Sequence, residues 1–475
     1  MASETPLSFE ARLEAADAAW LASSSTWNDE YFELFSMPHA KWLGKKVLRR
    51  GNHTLTGLWE LVNQVTGETH ARMVVKQKSL VKPSQELSLE SKALKVFRGT
   101  SKHVIQLTRE RYESQGNGAY NGISGLEDLD PLPEDDEVTV ERLYLEYCEN
   151  GGMQTWMKEE IFGRYSNPSS EPMPEWIFWK VWEALARGIC VLTYGVEKLD
   201  GGNMLDRPYV HFDIQPKNIL VGGFEGDHTK VPVIKIANFG RCQDIEVPQT
   251  DRFRKEMQLR GNQSANVIPP EQNLIRDEQF MGSWSNVWQA AKCVSTLFTE
   301  GEYYSTRPAS YDSTVFESTI QYSHPDINNN EPFETFGPDL KKGLERKYGG
   351  KGRIYSENVD KMLYWCLAVD VEIRPGPRIL LSEILKILNT MLEPGEGGND
   401  REDDFESSPP PSTKASEGKE RREEREERGA IQEQVKRGEK DKEGGEPPPS
   451  PPQLPNFSRS RLKKFRKLRA YRIDP

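Results

Sequence analysis

Nothing constrains the fold of this chain more than the run His211-Phe212-Asp213-Ile214-Gln215-Pro216-Lys217-Asn218-Ile219-Leu220 and the triplet Asn238-Phe239-Gly240 that follows it. The run sets a histidine, a carboxylate and two carboxamides just ahead of a short apolar stretch. A long turn, Gly222–Pro232, leads to the next strand, and Asn238 stands beyond it. Both clusters combine groups that donate, accept or move protons with apolar neighbours that fix them in a core.

Bulk composition excludes several classes of protein. At 475 residues the chain has room for about two or three domains, but long polar segments leave roughly one large foldable region. A net charge of −11 argues against general nucleic-acid binding. The five cysteines (Cys148, Cys190, Cys242, Cys293, Cys366) are scattered, odd in number and free of C-x-x-C spacing. Neither a disulfide framework nor a zinc site is expected, and a reducing intracellular compartment is. Met1-Ala2-Ser3-Glu4 starts no basic segment with an apolar core behind it, so no signal peptide is expected. No apolar run approaches the ~20 residues of a membrane span; the best, Val181–Tyr194, is broken by Arg187. The expectation is a soluble protein of the cytoplasm, the nucleus or both.

Residues 1–40 read as an N-terminal extension with a helix from Phe9 to Leu21 and an aromatic cluster of Trp27, Tyr31, Phe32 and Phe35. That helix is expected to pack on the domain, with a separate binding element as the alternative. From Trp42 to Ile105 the texture suits strands, with a turn at Thr66-Gly67-Glu68, and a helix follows near Ser84–Phe97. Residues 121–137 hold seven acidic residues and no basic ones, and read as an acidic surface insertion between strands. Helical patterning dominates Pro174–Tyr194, Asn286–Thr299, Lys361–Ala368 and Ile379–Met391. The order predicts an α+β, two-lobed domain over 41–394: a small β-rich lobe at about 41–148, then a larger helical lobe at about 149–394. From 395 to 475, proline runs and Glu/Arg-rich sequence cannot bury enough apolar surface to offset chain entropy, so a disordered tail is expected. Its basic end, Arg459 to Arg472, reads as a solvated tail, as a nuclear-import or anion-binding segment (the one place where nucleic acid could bind), or as a strap for the acidic insertion.

Taken together, the motifs resemble the protein kinase-like superfamily over roughly residues 45–392. The His-Phe-Asp form of the loop is similar to kinase-like proteins of filamentous fungi. The resemblance implies a bilobal kinase fold that takes ATP and Mg²⁺. Asp213 would be the base for the attacking hydroxyl, Asn218 a metal ligand, and His211, Phe239 and Gly240 the structural frame. Val74-Val75-Lys76 resembles the strand that ends in the ATP-anchoring lysine, and Glu90 resembles its helix partner; Lys78 and Glu86 are rivals for those two roles. Gly51 and Gly57 are what remains of a glycine-rich phosphate loop, or else belong to an ordinary hairpin. Leu143–Gly152 looks like the hinge, with Leu145 as gatekeeper, Glu146 and Cys148 giving backbone groups to adenine, and Leu220 a further nucleotide contact. Pro269-Pro270-Glu271 and Arg374-Pro375 match a buried structural ion pair, and Asn286 matches a cap on the catalytic loop.

The sequence departs from the family pattern around the phosphates. Asn238 replaces the aspartate that binds Mg²⁺, offering a neutral carbonyl where a hard cation favours a carboxylate. Gln215 replaces a lysine that contacts the transferred phosphate, and Phe212 an arginine that pairs with phosphorylated activation loops. The resemblance therefore implies phosphoryl transfer from ATP to protein Ser/Thr hydroxyls with impaired catalysis. The alternative is an inactive pseudokinase that binds or scaffolds an unidentified protein. A small-molecule kinase is weakened by the Pro-Pro-Glu and Arg374 anchors.

Overall fold

The computed structural model describes residues 8–28, 39–51, 54–80, 89–115, 138–162, 174–200, 203–246, 249–261, 268–273, 280–298 and 355–392. Tyr31, Phe32 and Phe35, the rival Glu86, the acidic insertion at 121–137 and the tail at 395–475 lie outside the described residues. Within them the protein is mixed α+β, with an antiparallel sheet early in the chain and helices dominating later.

Helix α1 (Phe9–Asn28) precedes β1 (Ala40–Gly51), β2 (Thr54–Asn63) and β3 (Thr69–Leu80). Helix α2 (Leu89–Val96), β4 (Leu107–Gln115) and β5 (Val138–Glu146) complete this part, and the five strands lie in the order β1-β2-β3-β5-β4. The β2–β3 turn forms where Asn63 Oδ1 accepts the Val65 and Thr66 N–H groups (2.9 and 3.2 Å) and Gly67 takes φ +74°.

Strand periodicity gives this sheet two different faces. On one, Trp59, Met73, Val75 and Tyr144 build an apolar cluster that Trp20 of α1 covers, its ring edge-on to Trp59 at 4.9 Å. Trp20 Nε1 donates to Gln77 Oε1 (3.1 Å), which also accepts from Arg142 Nε (2.8 Å). An ion pair between Arg50 and Asp17 ties α1 to β1. On the other face, register aligns Thr56 with Lys76 and Lys76 with Leu143. Helix α1 thus extends to Asn28, beyond the expected Leu21, and its Trp20 is 4% exposed.

The same alternation corrects the reading of Gly57 as a phosphate-approach glycine. Gly57 sits inside β2, paired with Val47 and Val75, on the face under α1. A Cβ there would lie 2.7 Å from the rings of Trp20 and Trp59, so the missing side chain makes room for two indoles. Gly51 does sit at the β1–β2 turn, opposite Thr54.

Beyond the sheet, α3 (Met153–Trp156) runs into a π-helical turn (Met157–Phe162) and α4 (Glu175–Tyr194) follows. Helix α4 is apolar nearly all round and buried accordingly, with Phe178, Trp179 and Trp182 inaccessible to solvent. Its one internal arginine, Arg187, is held by Glu183 through Nε and Nη2 (2.9 and 2.7 Å). It ends at Gly195, φ +73°, whose N–H returns to Val191 O. Glu175 in its first turn accepts from the Ser356 N–H and hydroxyl, both at 2.6 Å, joining α4 to the start of α8 (Glu357–Cys366). Between them come the ladders β6 (Tyr209–Val210) with β9 (Gln243–Asp244) and β7 (Ile219–Val221) with β8 (Ile234–Ile236). Helices α5 (Asp251–Gly261), α6 (Pro270–Asn273) and α7 (Ser283–Phe298) follow, and α9 (Pro377–Leu392) closes the domain against α4. No described helix is long and apolar enough to cross a membrane.

Two substitutions test the covered face. Gly57→Ala should destabilise the protein by about 1–3 kcal/mol through overpacking, measured by urea unfolding. In a Trp20→Ala background the added cost of Gly57→Ala should be smaller, because one of the two opposing rings is gone.

Candidate active site

The segment from His211 to Asn218 joins β6 to β7 as irregular backbone that ends in a 3-10 turn at Pro216–Asn218, and its side chains are buried except Lys217. Buried amides need partners, and side chains supply them. Asn286 of α7 accepts the His211 N–H (2.9 Å) and donates to Tyr209 O (2.8 Å). His211 Nδ1 accepts the Asp213 N–H (3.3 Å), and Gln289 accepts the Ile214 N–H (3.5 Å). Asn286 therefore serves as the predicted cap. Two non-glycine residues here take positive φ, Phe212 (+61°) and Asn238 (+63°). Asparagine tolerates that region; phenylalanine is strained in it and persists because its ring packs among Val210, Ile245, Met257 and Met281.

Helix α2 faces the Lys76 side of the sheet, and Lys76 Nζ meets Glu90 Oε2 at 2.6 Å. Lys76 also donates to Asn238 Oδ1 (3.1 Å), and Asn238 Nδ2 donates to Asn218 Oδ1 (2.9 Å). Asn218 Nδ2 in turn donates to Asp213, to Oδ2 at 2.7 Å and to the carbonyl at 2.8 Å. Gln215 Nε2 donates to the remaining carboxylate oxygen, Asp213 Oδ1. Five residues expected from the sequence, Lys76, Glu90, Asp213, Asn218 and Asn238, thus form one continuous network. Gly240 lies beside it, its Cβ position 3.7 Å from Glu90 Oε2 and 3.8 Å from Asn238 Oδ1. A cleft next to the network is lined by Thr54, Lys76, Lys78, Glu90, Glu141, Leu143 and Gly240, so Lys78 shares the wall but Lys76 holds Glu90.

Underneath, Phe239 is fully buried between Phe97 and His211, with ring centroids 6.0 and 4.8 Å away. His211 Nε2 bonds to Ala237 O (3.1 Å). With the proton on Nε2, both ring nitrogens are satisfied in the neutral form. Burial lowers the pKa to about 4, against the opposing pull of Asp213 and the Ala237 carbonyl. His103, whose Nδ1 bonds to Ile234 O (2.9 Å), is lowered to about 4, again chiefly by burial.

The remaining predicted positions lie around this centre. Glu146, at the end of β5, has its carboxylate committed to the Gln106 N–H (2.7 Å) and to Lys235 Nζ (3.1 Å). Cys148 is buried, which pushes its thiol up to about 12 and keeps it protonated, and its carbonyl accepts the Gly151 N–H (3.1 Å). Leu220 bridges to Gly152. Glu271 and Arg374 form a separate, solvent-inaccessible pair, with Nη1 and Nη2 each 2.9 Å from one carboxylate oxygen. Ser285 donates to the same carboxylate (2.7 Å). Two participants were missed in the sequence. Arg241, directly after Asn238-Phe239-Gly240, stands 4.0 Å from Asp213 Oδ1, and its adjacency was the available signal. Lys235 offered none, because a single lysine inside an apolar strand reads as its solvent edge.

The donors do not suit the Mg²⁺ that the resemblance implies. Asn238 Oδ1 already accepts from Lys76, and the amide of Asn238 points its N–H at the other candidate ligand, Asn218 Oδ1. Both oxygens of the nearby carboxylate, Asp213, accept amide hydrogens. Among the described residues no group of three or more His, Cys, Asp or Glu side chains is placed to hold a metal.

Two measurements check this account. Arg374→Met should cost about 3–5 kcal/mol in urea unfolding, since it leaves Glu271 charged and buried without its partner. Stability should be highest above pH ~6.5 and fall as pH drops towards 4, by on the order of 3 kcal/mol per buried histidine at most. The unfolded chain takes up protons in that window that folded His103 and His211 refuse, and His103→Gln should flatten the slope.

Neither a protein-family model nor a curated protein matches this chain.

Proposed function

We propose that this chain is a bilobal, protein kinase-like protein that binds ATP between the Lys76 face of its sheet and the loop at Asp213. It would transfer the γ-phosphoryl slowly to Ser or Thr hydroxyls of a protein substrate. The observation that carries this reading is the Lys76–Glu90 pair at 2.6 Å, linked through Asn238 and Asn218 to Asp213. A lysine fixed by a buried glutamate at a cleft wall is suited to orient the phosphates of a nucleotide. A buried carboxylate on a rigid loop is suited to accept a hydroxyl proton. Lys76 and Arg241 are the cations in that constellation that can face phosphate oxygens, and Leu58, Val74 and Leu145 share the Lys76 face further along the strands, where they offer an apolar bed for a base.

Transfer would be slow because Asp213 is engaged by Gln215 and Asn218 and because the donor set does not favour a divalent cation. Stabilisation by a metal is worth several kcal/mol, and a loss of about 3 kcal/mol corresponds to roughly a 10²-fold lower rate. The same hydrogen bonds favour a second reading, a pseudokinase that keeps the cleft for binding and scaffolds a partner protein.

Phosphate transfer from ATP to a generic protein substrate separates the two readings. On the first, wild type transfers slowly and Asp213→Ala abolishes it, while Lys76→Met abolishes ATP-induced thermal stabilisation. Thermal stabilisation by ATP without any transfer that depends on Asp213 would leave the pseudokinase. No stabilisation by nucleotide under any condition would refute both as nucleotide-binding proteins.

A further inference from the structure

The hydrogen bonds joining Lys76 to Asp213 all run one way. Lys76 donates to Asn238, Asn238 donates to Asn218, and Asn218 donates to Asp213. The two ends fix this direction. Lysine can only donate and a carboxylate can only accept, so turning either amide round would set donor against donor or oxygen against oxygen. The Nδ2–H of Asn238 is therefore held 2.9 Å from Asn218 Oδ1 by chemistry at both ends of the chain. An acid at position 238 would instead put a carboxylate against that oxygen, a repulsion that a cation between them would relieve. The amide hydrogen occupies that role.

Charge leads to the same conclusion. Lys76 and Arg241 balance Glu90 and Asp213, and at the cleft wall Lys78 is paired in register with Glu141. That balance leaves no excess of negative charge in the cluster to hold a divalent cation, and the oxygens nearest the Gly240 Cβ position, Glu90 Oε2 and Asn238 Oδ1, already accept from Lys76.

We infer that the cleft binds nucleotide polyphosphate without a divalent metal, with the Asn238 amide standing in for the ion that would bridge positions 238 and 218. The inference rests on the nucleotide-binding reading above and adds the ionic form of the ligand, free ATP in place of its magnesium complex. Magnesium that does enter would arrive only as a passenger on the phosphates.

The experiment titrates full-length protein with ATP by calorimetry, once in EDTA and once in excess Mg²⁺. The wild-type Kd should differ by less than about threefold between the two. Asn238→Asp should weaken binding in EDTA by about tenfold or more, a change near 1.4 kcal/mol, and Mg²⁺ should restore it. Wild-type binding that tightens tenfold or more with Mg²⁺ would overturn the inference while leaving the nucleotide reading intact. Absence of binding in both buffers would overturn the nucleotide reading itself and the inference with it. The wild-type comparison needs no variant, so it decides the matter even where Asn238→Asp does not fold, which its urea midpoint reports.

Discussion

Irregular backbone in a protein interior must find hydrogen-bond partners, and the segment from His211 to Gln215 imposes that demand on everything around it. One stretch of α7 meets it. Asn286 and Gln289 bond the loop's amides, while Ser285, one residue earlier on the same helix, reaches Glu271 and so the buried Arg374. Residues spaced three and four apart on a helix share a face, so a single turn of α7 serves both the loop and the ion pair. The packing of α4 against α7 and α9 fixes that turn in place. Strain at Phe212 is tolerated because so much else determines where the loop goes.

A second theme is the use of carboxamides inside the buried polar cluster. Asn218, Asn238 and Asn286 act through the double nature of the amide, accepting on one side and donating on the other, and Gln215 donates to Asp213. Gln77 adds a fifth amide on the opposite face of the sheet, one residue from Lys76, where it accepts from both Trp20 and Arg142. Amides transmit orientation along a network without adding charge, and that makes a buried polar cluster affordable without counter-ions.

Much of this was legible in the sequence, and the reasons for the gaps are physical. Lys76, Glu90, Asp213, Asn218, Asn238, Asn286, Glu271 and Arg374 meet partners because motif spacing carries their positions. Strand and helix order followed from periodicity, and α4 through its run of large apolar residues. Gly57 was misread because spacing from Gly51 does not say which face of a strand a residue takes; its pairing with Val75, beneath Trp20 and Trp59, sets that. The direction of the amide chain was invisible, since it is decided by Lys76 and Asp213 at ends far apart in sequence. The role of α1 was only half readable: among its described side chains Trp20 is the one that is deeply buried, too little for a periodic apolar face.

That helix has a consequence for how the protein is made. Lys76 finds Asn238 across a separation of 162 residues, and Glu271 finds Arg374 across 103, so neither tie exists while the sheet is leaving the ribosome. The indole-rich face of the sheet would be exposed throughout that wait, the condition in which nascent β-structure aggregates. Trp20 lies 57 residues before Gln77, ahead of every strand it touches. The shield is synthesised before the surface it shields.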